Sequence, residues 1–264
     1  MAYVVLRGGG DLATGVALRL VRAGIRVIIT ELASPVSVRR AICFSEAVYE
    51  GDWTVEGVTG VHCDTLADAE RIVGPHYVPV LVAPAIVSLS DRPLDVVIDA
   101  RLIKQPPETD LSIASLVVGL GPGFVAGRDC HAVVETKRGH QLGRVYWEGT
   151  ALPDTATPEG DPRRVLRAPV DGPLRARAAI GDSVCEGQTV ADVGGWLVTS
   201  PFAGVLRGLI RDGTDVSRGL KVGDVDPSGV REHCFMVSDK ALAVGGGVLE
   251  AVLTRPDVRA RLWS

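Results

Sequence analysis

The chain has 264 residues, 46% of them hydrophobic, which is enough for more than one core and argues for two domains. Its formal net charge is −4 at pH 7 and no basic block exceeds a pair such as Arg39-Arg40, which argues against a nucleic-acid partner. The apolar runs are strand-sized and the first residues enter a strand with no signal peptide, so neither a membrane nor export is expected, and the protein reads as cytoplasmic.

The first segment reads strand, turn, helix, strand. Tyr3 to Leu6 is a short buried strand. Leu12, Val16, Leu20 and Val21 fall on one helical face, and Gly24 stops that helix. Arg26 to Thr30 is a second strand ending at Glu31. Ser34-Pro35 has the chemistry of a helix start. Asp64 to Val73 reads as a capped helix. Val78 to Val82 and Val96 to Ile98 are apolar runs of the kind found in a covered, largely parallel sheet. After Ser115 strand-like runs dominate, so the sheet is expected to be mixed.

Residues 152–164 are polar with three prolines and read as a linker. Beyond it lies an internal repeat with an offset of 32 residues. Pro169, Gly172, Leu174, Arg175, Gly181, Val184, Gly187, Val190, Asp192 and Val193 recur as Pro201, Gly204, Leu206, Arg207, Gly213, Val216, Gly219, Val222, Asp224 and Val225. Short strands between glycine turns, duplicated, predict two interlocking halves, because one half cannot bury its apolar face alone. The repeat resembles the barrel-sandwich hybrid of biotinyl and lipoyl domains. Those domains that carry a swinging arm have a modified lysine at the junction of the halves. Here the junction is Gly194-Gly195-Trp196, and no lysine lies between Lys137 and Lys221. The resemblance therefore leaves a binding or docking module without a carrier role.

A Ser238-Asp239 cap opens the last segment, and Ala241, Val244, Val248, Leu249 and Val252 make an apolar helical face. Gly245 to Gly247 weaken a helix by roughly 1 kcal/mol each relative to alanine, so a turn against the other domain is an alternative. The expected division is 1–151, 165–230 and a helical segment 231–264. The fold class is α/β: a Rossmann-like N-terminal domain followed by a duplicated all-β, barrel-sandwich-hybrid-like domain.

Gly8-x-Gly10-x-x-Ala13 directly after a strand and opening a helix is the pattern of a dinucleotide turn. The first glycine permits the turn, the second admits a pyrophosphate, and the small third residue lets helix and strand approach. Gly8, Gly9, Gly10, Asp11 and Ala13 are the cofactor-binding candidates, with Glu31 placed to hydrogen-bond ribose. Asp11 would repel phosphate unless it faces away, holds a cation or caps the helix, and Arg7 and Arg39-Arg40 would supply compensating charge.

Asp99, followed by Arg101 and Lys104, sits at a strand end where ligands of open α/β sheets bind. An acid and a lysine there are catalytic candidates, and an ion pair is the plain alternative. GLGPGF (119–124) reads as a turn rather than a second anion loop, because no helix signal follows it. CHAVVETKRGHQLGR (130–144) is the densest in chemistry. His131 and Glu135 share a face of one strand, and Arg138 and His140 follow; together they would transfer protons or bind phosphate. The alternative is a solvated hairpin. Five scattered cysteines without a C-x-x-C pair indicate neither zinc nor a dithiol site.

RGGGDLATGVALRLVRAGIRVIITEL, GLGPGFVAGRDCHAVVETKRGHQLGRV and GLKVGDVDP with SDKALAVGGGVLEA resemble the YqeB-type proteins across nearly the whole chain. These are accessory proteins of the selenium-dependent molybdenum hydroxylase system. The resemblance implies a role in maturing the molybdenum cofactor, with a hydroxylase client as partner and selenium belonging to that client. It implies a nucleotide or molybdopterin dinucleotide at Gly8, Gly10, Ala13 and Glu31, with His131, Glu135, Arg138 and His140 at its reactive end. An NAD-dependent oxidoreductase and a non-catalytic adapter that docks a hydroxylase remain the rival readings, and a homo-oligomer is compatible with all three.

Overall fold

The computed structural model describes residues 2–83, 85, 94–103, 109–153 and 160–263. It is an α/β protein of two compact units. One comprises Met1–Pro35, Phe44–Asp154 and Val237–Ser264; the other comprises Val36–Cys43 and Thr155–Met236. The division differs from the linear one expected from the sequence. Residues 36–43 and 231–236 go with the repeat, and residues 237–264 go with the N-terminal sheet.

The first unit is built on a nine-stranded mixed sheet. Its strands are β1 (Val4–Arg7), β2 (Val27–Glu31), β3 (Asp52–Val55), β4 (Val58–Cys63), β5 (Tyr77–Val82), β6 (Leu94–Asp99), β7 (Ala114–Leu120), β8 (Ala132–Val134) and β9 (Val145–Tyr146). The order is β3-β4-β5-β2-β1-β6-β7-β8-β9; the seven from β4 to β8 are parallel and the edges β3 and β9 are antiparallel. The central strands are continuous apolar runs because both faces are covered. Val4, Val5, Leu6, Val96, Val97 and Ile98 are fully buried.

Helix α1 (Asp11–Arg22) follows β1, and Gly24, at φ +81°, takes the left-handed conformation just beyond it. Ser34-Pro35 starts no helix; the chain there is irregular until a 3-10 turn at Arg40–Ile42. A four-residue helix, α2, spans Ala47–Glu50. Helix α3 (Leu66–Ile72) is capped by Thr65, whose hydroxyl accepts the Asp68 N–H at 3.1 Å, rather than by Asp64.

The C-terminal glycines form no turn. Helix α4 (Asp239–Thr254) runs through them and α5 (Pro256–Leu262) follows. Ser238 caps α4 by accepting the Ala241 N–H at 3.1 Å. The glycines are where α4 meets its neighbours. A Cβ built on Gly15 of α1 would lie 2.6 Å from the Ala241 backbone, and one on Gly245 would lie 2.7 Å from the Gly15 carbonyl. A Cβ on Gly247 would collide with the Gly143 carbonyl. The helical penalty of these glycines is offset by backbone contact that no side chain permits.

The second unit contains two four-stranded sheets, β10-β17-β15-β12 and β14-β13-β11-β16. Their strands are β10 (Val165–Arg167), β11 (Gly172–Ala176), β12 (Ser183–Val184), β13 (Thr189–Val193), β14 (Trp196–Thr199), β15 (Gly204–Leu209), β16 (Asp215–Val216) and β17 (Lys221–Asp226). The 32-residue offset maps β11 onto β15, β12 onto β16 and β13 onto β17. The halves exchange strands: β12 pairs with β15, and β16 pairs with β11. Leu174, Val184, Val190 and Val193 join Leu206, Val216, Val222 and Val225 in one buried cluster. The β13–β14 hairpin turns on Gly194 and Gly195, at φ +56° and +85°, as a two-residue turn with both positions left-handed requires.

Candidate functional site

β1 lies between β2 and β6, and the chain order reverses there, so the carboxyl ends of β1 and β6 frame the crevice where ligands of such sheets bind. Gly8 leaves β1 at φ +92°, with its N–H donated to the Thr30 carbonyl at 2.8 Å. Gly10 is the N-cap of α1, and Asp11 is its first helical residue rather than the cap. Ala13 is buried, as the close helix–strand approach requires.

Gly9 is held by the protein itself. Its N–H donates to Glu31 Oε2 at 2.7 Å, while Glu31 Oε1 accepts the Leu32 N–H at 2.7 Å. Its carbonyl accepts the Ser45 N–H at 3.0 Å and the Thr14 hydroxyl at 3.3 Å. The Phe44 N–H in turn donates to that hydroxyl at 3.1 Å. A Cβ on Gly9 would sit 2.9 Å from the Ser45 nitrogen, so residues 44–45 lie directly on it. Both Glu31 oxygens thus brace backbone amides, and the acid placed by its sequence position for a ribose has a structural task.

Beside the turn, two guanidinium groups converge on one acid. Asp99 is 0% exposed and Arg7 is 2% exposed, and their side chains meet at 3.2 Å. Arg101 Nη2 lies 2.7 Å from Asp99 Oδ2 and Arg101 Nε lies 3.0 Å from Oδ1. The Arg101 stem passes 3.6 Å from where a Gly8 Cβ would be. Arg101 is partly exposed, so its guanidinium lies next to the glycine turn and the α1 N-terminus, where the Glu31 carboxylate also sits. Asp99 holds these arginines and is no isolated base. Lys104 lies outside the described residues. Arg39 and Arg40 belong to the second unit, where Arg39 Nη2 donates to the His233 and Met236 carbonyls at 3.1 and 2.9 Å.

The 130–144 cluster does not assemble on one ligand. His131 precedes β8 and Glu135 follows it, so the three residues of that strand lie between them and four residue steps, about 13 Å, separate them along it. His131 Nδ1 accepts the Val117 N–H at 3.0 Å. Burial, and then the charge of Arg255, push its pKa down. Glu135 is fully buried and accepts the Lys137 and Leu152 N–H groups at 2.7 and 2.8 Å. Arg138 makes a bidentate pair with Asp239 at 2.6 and 2.7 Å, tying this loop to the start of α4 and bringing the Asp239 carboxyl down to about 2. His140 is exposed. Burial pushes the Cys130 thiol up to about 12, which leaves it inert. GLGPGF folds as a packed turn: Phe124 fills the space beside Gly119, and the Ile103 carbonyl lies against Gly123. Among the described residues no group of three His, Cys, Asp or Glu side chains could hold a metal, and no helix is long and apolar enough to cross a membrane.

The sequence reading missed the Phe44-Ser45 strap. A strap made of backbone amides carries no residue-type signal.

The fold and this corner define an α/β protein with a glycine turn and paired arginines at the reversal of a parallel sheet. No family model matches the chain. It is 44% identical over 254 residues to the uncharacterized protein YqeB of Escherichia coli (strain K12), across 95% of this chain and 47% of that protein. The chain therefore spans about half the length of the curated relative it matches. Among solved structures, an aspartoacylase family protein of Mesorhizobium loti aligns over 24% of this chain and 22% of its own at 17% identity, with a TM-score of 0.22. The ectoine utilization protein EutE (DoeB) of Ruegeria pomeroyi aligns over 85% and 86% at 10% identity, with a TM-score of 0.27. Neither likeness is close enough to carry an argument about fold or function.

Proposed function

We propose that the chain is a YqeB-type accessory protein of molybdenum hydroxylase maturation, and that its first unit holds the diphosphate of a nucleotide or of molybdopterin dinucleotide as cargo. The observation that carries the ligand half is the corner where Gly8 at φ +92°, the start of the twelve-residue α1 and Arg101 lie together at the sheet reversal. Backbone N–H groups at a helix start and a guanidinium suit linked phosphates. Arg101 would neutralise the phosphates while Arg7 keeps Asp99 compensated. Glu31 would hold the turn in shape and leave ribose recognition to other groups. We read the order β5-β2-β1-β6-β7-β8 as Rossmann-like, and the second unit as a barrel-sandwich hybrid without its carrier lysine.

The adapter reading has its own support. Trp196 and Leu197, at the hairpin that joins the halves, are 64% and 63% exposed, and exposed aromatic and aliphatic side chains at a hairpin tip suit docking of a client protein.

Titration of the purified full chain with NAD, CTP and a molybdopterin dinucleotide, beside Arg101→Gln, tests the proposal. Saturable binding of CTP or the molybdopterin dinucleotide, weakened by about tenfold or more in Arg101→Gln, is expected. NAD binding with turnover would favour the oxidoreductase. Binding of none of them, with a hydroxylase still captured by the wild type and released by Trp196→Ala, would favour the adapter.

A further inference from the structure

The duplicated unit carries an internal control on its own charges. Asp192 and Asp224 occupy equivalent repeat positions, as do Arg175 and Arg207. In the first half Asp192 pairs, among the described residues, with a single cation, Arg177, at 2.7 Å. In the second half Asp224 gathers three: Arg164 at 2.8 Å, Arg207 at 3.0 Å and Lys221 at 2.9 Å. Arg207 also reaches Asp226 at 3.6 Å. The same fold position is thus satisfied by one cation in one copy and surrounded by three in the other. The extra two are recruited from outside the repeat's shared pattern. The position equivalent to Lys221 is Thr189, and that equivalent to Arg164 is Trp196.

Among the described residues, and counting Asp226, the cluster holds three positive and two negative groups. Asp224 is buried, while the cations are a fifth to two fifths exposed, so the excess charge faces the surface. The Arg207 Nε is buried and meets no acceptor among the described residues, so the two carboxylates do not exhaust that guanidinium. Gathering three like charges costs repulsion that the two carboxylates only partly offset, and a further anion completes the balance.

We infer that Arg164, Arg207 and Lys221 form an anion site in the second unit that takes a phosphate or diphosphate group. Asp224 positions the three cations and competes with the anion for them. The two halves of one duplicated fold are thereby specialised, one edge for an oxyanion and the equivalent edge, with Trp196, for apolar contact. The inference does not depend on the glycine turn of the first unit.

The test is a titration of the full-length chain with sodium pyrophosphate, and separately with inorganic phosphate, at constant ionic strength against sodium chloride, read by backbone amide NMR. Saturable shifts are expected at Leu166, Gly223 and Asp224, apart from any at Gly8 to Leu12, so success or failure at each site is read separately. Affinity at the second-unit signals should fall about tenfold or more in Arg164→Gln/Lys221→Gln and rise severalfold in Asp224→Asn, where a competing charge is gone. Shifts that chloride reproduces, or an affinity unchanged in the double variant, would overturn the inference. Should Asp224→Asn fail to fold, the double variant, altered at partly exposed side chains, still decides.

Discussion

Glu31 and Gly9 are joined by a 2.7 Å hydrogen bond from the glycine amide to the carboxylate, which fastens the end of β2 to the turn after β1. The same carboxylate accepts the Leu32 amide with its other oxygen. Glu31→Gln leaves one good acceptor for two donors. It should cost about 1–3 kcal/mol, read as a lower denaturation midpoint at constant slope. A variant that keeps full stability and loses nucleotide affinity would return Glu31 to the ribose role.

The glycines of α4 make opposite predictions one residue apart. A Cβ at Gly246 meets nothing within 4 Å, so Gly246→Ala should stabilise by about 0.5–1 kcal/mol through helix propensity. Gly245→Ala gains the same propensity but drives its methyl group against Gly15 and Arg19, and overpacking of about 1–3 kcal/mol should win. Thermal unfolding of the two variants checks both signs.

His131 gives a pH dependence whose sign follows from its lowered pKa. The folded state holds the ring neutral, accepting the Val117 N–H, whereas the unfolded chain takes up the proton near its ordinary value of about 6.5. Below that value the unfolded state binds more protons, so the His131 contribution is full above it and is lost as pH falls through the folded value. Stability measured between neutral pH and about pH 5 should fall less in His131→Asn, whose amide oxygen accepts the same N–H without titrating.

Thiol labelling separates the cysteines. Cys185 is exposed, whereas Cys43, Cys63, Cys130 and Cys234 are buried, and burial raises Cys63, Cys130 and Cys234 above the ordinary thiol range. Under native conditions a maleimide should modify Cys185 first, and Cys185→Ser should abolish the fast phase. Fast labelling of Cys130 would contradict the packing described around it.

Local periodicity made the β1–α1–β2 unit legible in the sequence, because strand, glycine turn and helix are each written within a few residues. The repeat was legible because identical glycines and valines recur in register. What stayed hidden is non-local. Nothing in Gly245 or Gly247 announces the Gly15 and Gly143 backbones that make them compatible with a helix. The pattern puts His131 and Glu135 on one strand face, but they flank the short β8 at its opposite ends. Ser34-Pro35 offered helix-start chemistry, yet no helix follows, and residues 36–43 join the repeat unit through bonds such as that from Arg40 Nε to the Leu209 carbonyl at 3.1 Å.

The most direct measurement follows the amide signals of Gly8, Gly9, Gly10, Asp11 and Leu12 while the full chain is titrated with CTP. The account predicts saturable shifts at Gly10, Asp11 and Leu12 that Arg101→Gln weakens, with Gly9 remaining bonded to Glu31. Signals that stay in place to saturating nucleotide would show that this corner serves the fold alone.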